Sequence, residues 1–204
     1  MNLVREAEIQ DEHYHYNIIL GYNSIYDKIE RSLLGKGPTA RPTLHNVLIK
    51  VPIDASCNVA YHTYHKPCEV DLTELLAHEM IHCLQVNKYG LLKFNPFHHP
   101  EYWKMEGYPE YIAKKQRQSG NVYSLKNEID RHINLRSQAT DIWTLTEDGG
   151  CEIPDFYYKG RLMVEYLMDV RHFPYDQILQ DTSSENMIYQ EMVNWKNTPE
   201  NYAR

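Results

Sequence analysis

His78-Glu79-Met80-Ile81-His82, with Glu106-Gly107 beginning 24 positions after His82, is the stretch on which the reading of this chain turns. Two residues four apart on a helix lie about 6 Å apart along the axis and about 40° apart around it. Two imidazoles so placed can share one tetrahedral zinc, with the glutamate between them set to act as base on a metal-activated water. A carboxylate base beside such a water is the working part of a hydrolase.

The segments around the motif support a helix there. Asp71 suits an N-cap, and Glu74 three residues on completes a variant of the capping box. Leu72, Leu75, Leu76, Met80, Cys83 and Leu84 form an apolar stripe, with His78 and His82 on its flank facing a cleft. After Gly90 comes a Pro- and His-containing loop, Asn95 to Pro100, and then a second helix from Pro100 to about Gln118. Pro109 should kink this helix, because it removes a hydrogen bond and crowds the carbonyl of Met105.

Upstream, Asn23 to Leu34 reads as an amphipathic helix with Ile25, Tyr26, Ile29, Leu33 and Leu34 on one side, and Gly35 to Pro42 reads as a loop. Two strand-like runs, His45 to Val51 and Asn58 to Tyr64, suggest a small antiparallel sheet before the metal-bearing helix. Downstream, Tyr123 to Leu145 is helical in part and Gly149-Gly150 is a break. Helices are then expected from Pro154 to about Val170, Pro174 to Gln180 and Ser183 to Trp195, the last capped by Thr182 or Ser183. The expected fold class is α+β: a small antiparallel or mixed sheet followed by a mostly helical zincin-type lobe, residues 1–204 forming one domain.

Composition narrows the functions. The formal net charge of −7 argues against a nucleic-acid partner, and no apolar run approaches a membrane span. Met1 to Asp11 carries Arg5, Glu6, Glu8 and Asp11 and does not read as a signal peptide, so a cytoplasmic location is the expectation. Cys57, Cys68, Cys83 and Cys151 show no Cys-x-x-Cys pair, which disfavours a second zinc site. Free thiols are expected, with a Cys57–Cys68 bridge as the oxidised alternative and Cys83 as a small buried hydrophobe.

A catalytic zinc needs a third protein ligand and an open fourth position. Glu106 is the candidate, with Glu110 one turn on to accept a hydrogen bond from the far nitrogen of a ligand histidine. A solvated helix face is the plainer explanation of the two glutamates. Gly107 speaks against it, since a mid-helix glycine costs up to about 1 kcal/mol relative to alanine without a packing reason.

His78-Glu79-x-x-His82 followed by Glu106-Gly107-x-x-Glu110-Tyr111 resembles the gluzincin metallopeptidases, the group that includes thermolysin and the aminopeptidase N-like enzymes. The resemblance, which covers roughly Asn58 to Leu167, implies one zinc held by His78, His82 and Glu106, with Glu79 as general base. Tyr157-Tyr158-Lys159-Gly160 is similar to the Tyr-x-Lys-Gly signature of the aminopeptidase N-like branch, whose tyrosine stabilises the oxyanion. That implies Tyr157 for the role, with Tyr158 next in line. The Gly-x-Met-Glu-Asn strand of that branch, which anchors a free α-amino group, has no counterpart between His45 and Asp71, so exopeptidase action is not implied. Val59 to His65 could still serve as an edge strand for an extended peptide, while His62, His65, His98 and His99 are read as surface or loop residues.

The sequence thus predicts a zinc-dependent peptide hydrolase with a peptide or protein substrate. The alternatives are a non-catalytic gluzincin-like scaffold that keeps zinc for binding or regulation, a helical protein with an accidental His-Glu pattern, and a lipid or epoxide hydrolase.

Overall fold

Two small sheets come before the long helices and a third interrupts them, and the architecture is α+β as the sequence predicts. The structure is a computed structural model that describes residues 3–22, 24, 25, 28, 32, 40–62, 68–94, 100–118, 124–147 and 151–198. Gly35 to Pro38, His65, His98, His99 and Gly149-Gly150 lie outside the described residues, as does most of the segment Asn23 to Leu34. Within that segment Ile25, Lys28 and Ser32 are helical, but Ile25 is exposed rather than on an inward face.

Three small sheets form among the described residues. In the first, β3 (Asn46–Ile49) lies between β1 (Asn17–Leu20), to which it runs parallel, and β2 (Ala40–Thr43), to which it is antiparallel. Pro42 was expected in a loop and instead sits in β2. It is tolerated there because β2 is an edge strand, where a missing N–H can face outward. The second sheet is antiparallel, in the order β4 (Ile53–Asp54), β5 (Val59–His62), β6 (Cys68–Asp71). The two predicted strands therefore exist but do not pair with each other. The third sheet is a hairpin of β7 (Thr144–Thr146) and β8 (Glu152–Pro154), which the sequence reading did not foresee.

The longer helices among the described residues are α1 (Leu72–Tyr89), α2 (Tyr102–Gln118) and α3 (Leu125–Gln138) before the third sheet, and α4 (Asp155–Glu165), α5 (Tyr175–Gln180) and α6 (Glu185–Lys196) after it. A π-helical turn, Tyr166–Val170, prolongs α4. The cap of α6 is Ser184, one residue beyond those expected; its hydroxyl accepts from the Met187 N–H at 3.4 Å. α2 is the central helix, packed between α1 and α4. The core is built from Ile81 and Leu84 of α1, Trp103, Tyr108 and Ile112 of α2, and Leu162 and Met163 of α4, with Val47 and Ile49 of β3 beneath α1.

One covalent tie was not anticipated. Cys68, at the start of β6, is disulfide-bonded to Cys151, immediately before β8, with Cα atoms 5.6 Å apart. This corrects both the expectation of free thiols and the Cys57–Cys68 alternative. The partners are 83 residues apart, and the bond ties a strand of the second sheet to the start of the third. Cys57 is free and exposed, and Cys83 is free and buried as predicted.

Candidate metal centre

The ligand geometry begins with the way α1 starts. Asp71 has extended backbone and its carboxylate accepts from the Glu74 N–H at 2.9 Å, which satisfies one of the free N–H groups of the first turn. Gly90 ends the helix with φ of 83°, a conformation that glycine takes without penalty. Between these caps, Ala77, Ile81, Cys83 and Leu84 are buried, and so are His78 and Glu79. The imidazoles point across a narrow gap at α2.

Their three donor atoms converge. His82 Nε2 lies 3.0 Å from His78 Nε2 and 3.0 Å from Glu106 Oε2, and His78 Nε2 lies 3.4 Å from the same carboxylate oxygen. A tetrahedral ion with bonds of about 2.0–2.1 Å keeps its donor atoms about 3.3 Å apart, so the observed triangle has the size of a zinc face. His78, His82 and Glu106 also form a set that could hold a metal ion by residue type and proximity. The residues present fit the group.

Electrostatics agree with the geometry. Burial would raise the Glu106 carboxyl, but His82 and His78 hold it well below the usual carboxylate range, so it is ionised. Burial would lower His78, yet its contacts with Glu106 and Glu110 push it up to about 10. Glu79 is pushed above the ordinary glutamate range by burial, against the pull of His78 and His82. Its Oε2 is buried and makes no hydrogen bond among the described residues. Glu79 thus holds a buried carboxylate oxygen that no protein donor among the described residues occupies.

The outer contacts differ between the two histidines. Glu110 approaches His78 Nδ1 at 3.4 Å, an ion-pair separation longer than an ordinary N–H···O bond. His82 Nδ1 is 2.7 Å from Gln85 Oε1, a partner the sequence reading missed. The signal was available: Gln85 is a polar residue on the inward face of α1, three positions after His82, where nothing but a partner would justify its burial.

Tyr157, in the first turns of α4, sets its ring edge-on to the His78 imidazole with centroids 5.6 Å apart. Burial, reinforced by Glu106, Glu79 and Glu110, keeps its hydroxyl well above the ordinary tyrosine value, so it stays a proton-bearing donor. Tyr158 points elsewhere, donating to Glu128 Oε2 at 2.8 Å and stacking on His132. Of the two tyrosines, only Tyr157 contacts a histidine of the metal set.

Gly107 has a packing reason after all. A Cβ at Gly107 would run into the carbonyl of Gly160, and one at Gly160 would meet Trp103 O at 3.0 Å and Gly107 Cα at 3.4 Å. The Gly of Glu106-Gly107 and the Gly of Tyr157-Tyr158-Lys159-Gly160 are thus partners in one close helix crossing.

Residues 51–202 match the family model Peptidase_M9, described as collagenase. No curated protein matches the chain, and no solved structure does.

Proposed function

The chain belongs to the M9 collagenase family of zinc metallopeptidases, and from that premise we propose a gluzincin-type peptide hydrolase whose zinc is held by His78, His82 and Glu106. The observation that carries the reading is the 3.0–3.4 Å triangle of two imidazole nitrogens and one ionised carboxylate oxygen beside the unpaired Oε2 of Glu79. Zinc in such a set supplies a water of near-neutral pKa and a Lewis acid for the scissile carbonyl.

The protein's own groups do the rest. Glu79 takes the proton from the attacking water and carries it to the leaving amine, a base and then an acid. Its raised affinity for a proton suits the second half of that task. Tyr157 donates its hydroxyl hydrogen to the oxyanion that develops as the carbonyl is attacked. Glu110 sits against the far side of His78. The substrate is a peptide or protein.

The likeness to the aminopeptidase N-like branch rests on Tyr157-Tyr158-Lys159-Gly160 alone, and the packing of Gly160 against Gly107 gives part of that motif a structural reason. No helix among the described residues is long and apolar enough to cross a membrane. The Cys68–Cys151 disulfide favours an oxidising compartment over the cytoplasm expected from the sequence.

The test is Glu79→Gln. The variant should bind zinc like the unaltered protein and lose turnover of a quenched peptide library by about 10³-fold or more. Normal hydrolysis by this variant would remove the mechanism. Absence of turnover from the zinc-loaded unaltered protein would favour the non-catalytic scaffold, and turnover that survives a chelator would remove the role of zinc.

A further inference from the structure

Pro109 leaves a carbonyl without its helical donor. In α2 the Met105 carbonyl would accept from the N–H of the residue four further on, and proline has none. Gln85 fills the place from α1: its Nε2 donates to Met105 O at 2.9 Å. The same Nε2 donates to the Tyr175 hydroxyl at 2.8 Å. That direction is forced, because the single hydroxyl hydrogen of Tyr175 goes to Lys104 O at 3.0 Å.

Both amide hydrogens of Gln85 are therefore committed, and its Oε1 is the atom that faces His82 Nδ1 at 2.7 Å. A carbonyl oxygen only accepts, so Nδ1 carries the proton and Nε2 presents its lone pair toward His78 and Glu106. Gln85 and Tyr175 are fully buried, so water cannot replace either. An amide serves here better than a carboxylate would: Glu79, Glu106 and Glu110 already crowd the two imidazoles, and a fourth buried negative charge would have no cation of its own.

We propose that Gln85, oriented by Tyr175 and by the carbonyl that Pro109 frees, is a positioning residue that locks His82 in the Nδ1–H tautomer required of a metal ligand. The inference rests on the ligand set His78, His82 and Glu106 named above. It extends the site to a relay running from the carbonyl opposite Pro109 through two buried side chains to one ligand nitrogen.

The experiment compares the unaltered protein with Gln85→Met, Gln85→Glu and Tyr175→Phe. Zinc affinity is measured by competition with a chromophoric chelator, and the His82 tautomer by long-range ¹H–¹⁵N correlation in metal-free, ¹⁵N-histidine-labelled protein. Gln85→Met should weaken zinc binding by about 10- to 100-fold and release His82 into a tautomer mixture. Gln85→Glu keeps an acceptor on Nδ1 and should retain more of the affinity, and Tyr175→Phe, which removes one of two orienting partners, should lose less than Gln85→Met. The tautomer of the unaltered protein needs no variant to fold: finding Nε2–H there overturns the proposal. So does unchanged zinc affinity in Gln85→Met. An unaltered protein that binds no zinc would instead overturn the ligand set itself, a separate and recognisable failure.

Discussion

The two sides of α2 are joined to their neighbours in opposite ways. Toward α1 the junction is polar: Glu106 meets His78 and His82, Met105 O meets Gln85, and Lys114 pairs with Glu74. Toward α4 it is apolar, and at its tightest point backbone meets backbone, Gly107 against Gly160. Adjacent residues on a helix point about 100° apart, so Glu106 and Gly107 can serve the two junctions at once. One junction leaves room for an ion between side chains. The other removes side chains so that α4, and with it Tyr157, comes close. The Glu-Gly pair is thus two instructions, one chemical and one spatial.

The largest test of this contrast acts on the polar junction. His82→Ala or Glu106→Ala should lose the metal on dialysis while the helical circular-dichroism signal persists; a variant that keeps one equivalent of zinc would break the ligand assignment. Next comes the pH response of the metal-free protein. His78 rises from its ordinary 6.5 to about 10, so its contribution is full below pH 6.5 and fades as the pH climbs toward 10. Glu106 and Glu110 fall below their ordinary 4.5, so theirs is full above that value and is lost in acid. The thermal midpoint of metal-free protein should therefore peak between about pH 4.5 and 6.5, and a midpoint indifferent to pH from about 6 to 9 would sink this account. The smallest effect acts on the apolar junction. Gly107→Ala forces a methyl against a carbonyl that cannot swing away and should cost about 1–3 kcal/mol in denaturant unfolding, with zinc still bound by the folded fraction. Loss of zinc without loss of stability would mean that the two junctions are not separate.

What could be read from the chain divides along the same line. The cap at Asp71, the span of α1, the span of α2 and the His-Glu constellation are local patterns, and local periodicity announced them. The pairing of strands was not local: β3 and β5 looked like neighbours in one sheet, yet each joins a different sheet because β1 and β4 claim them. Gly107 looked unexplained because its reason is Gly160, far along the chain on another helix. The disulfide was misread for the same reason. Pro109 was recognised as freeing the Met105 carbonyl, but the residue that takes up that carbonyl, Gln85, lies on the preceding helix, and no periodicity links the two.

The Cys68–Cys151 bond closes residues 68–151 into a covalent ring. All three proposed zinc ligands lie inside that ring, and Tyr157 lies just beyond its closure. A backbone cut in any loop between α1 and β7 would open the ring without releasing a fragment. A nicked molecule would travel as one piece until a reductant parted the two halves, with His78 and His82 on the first and Tyr157 on the second.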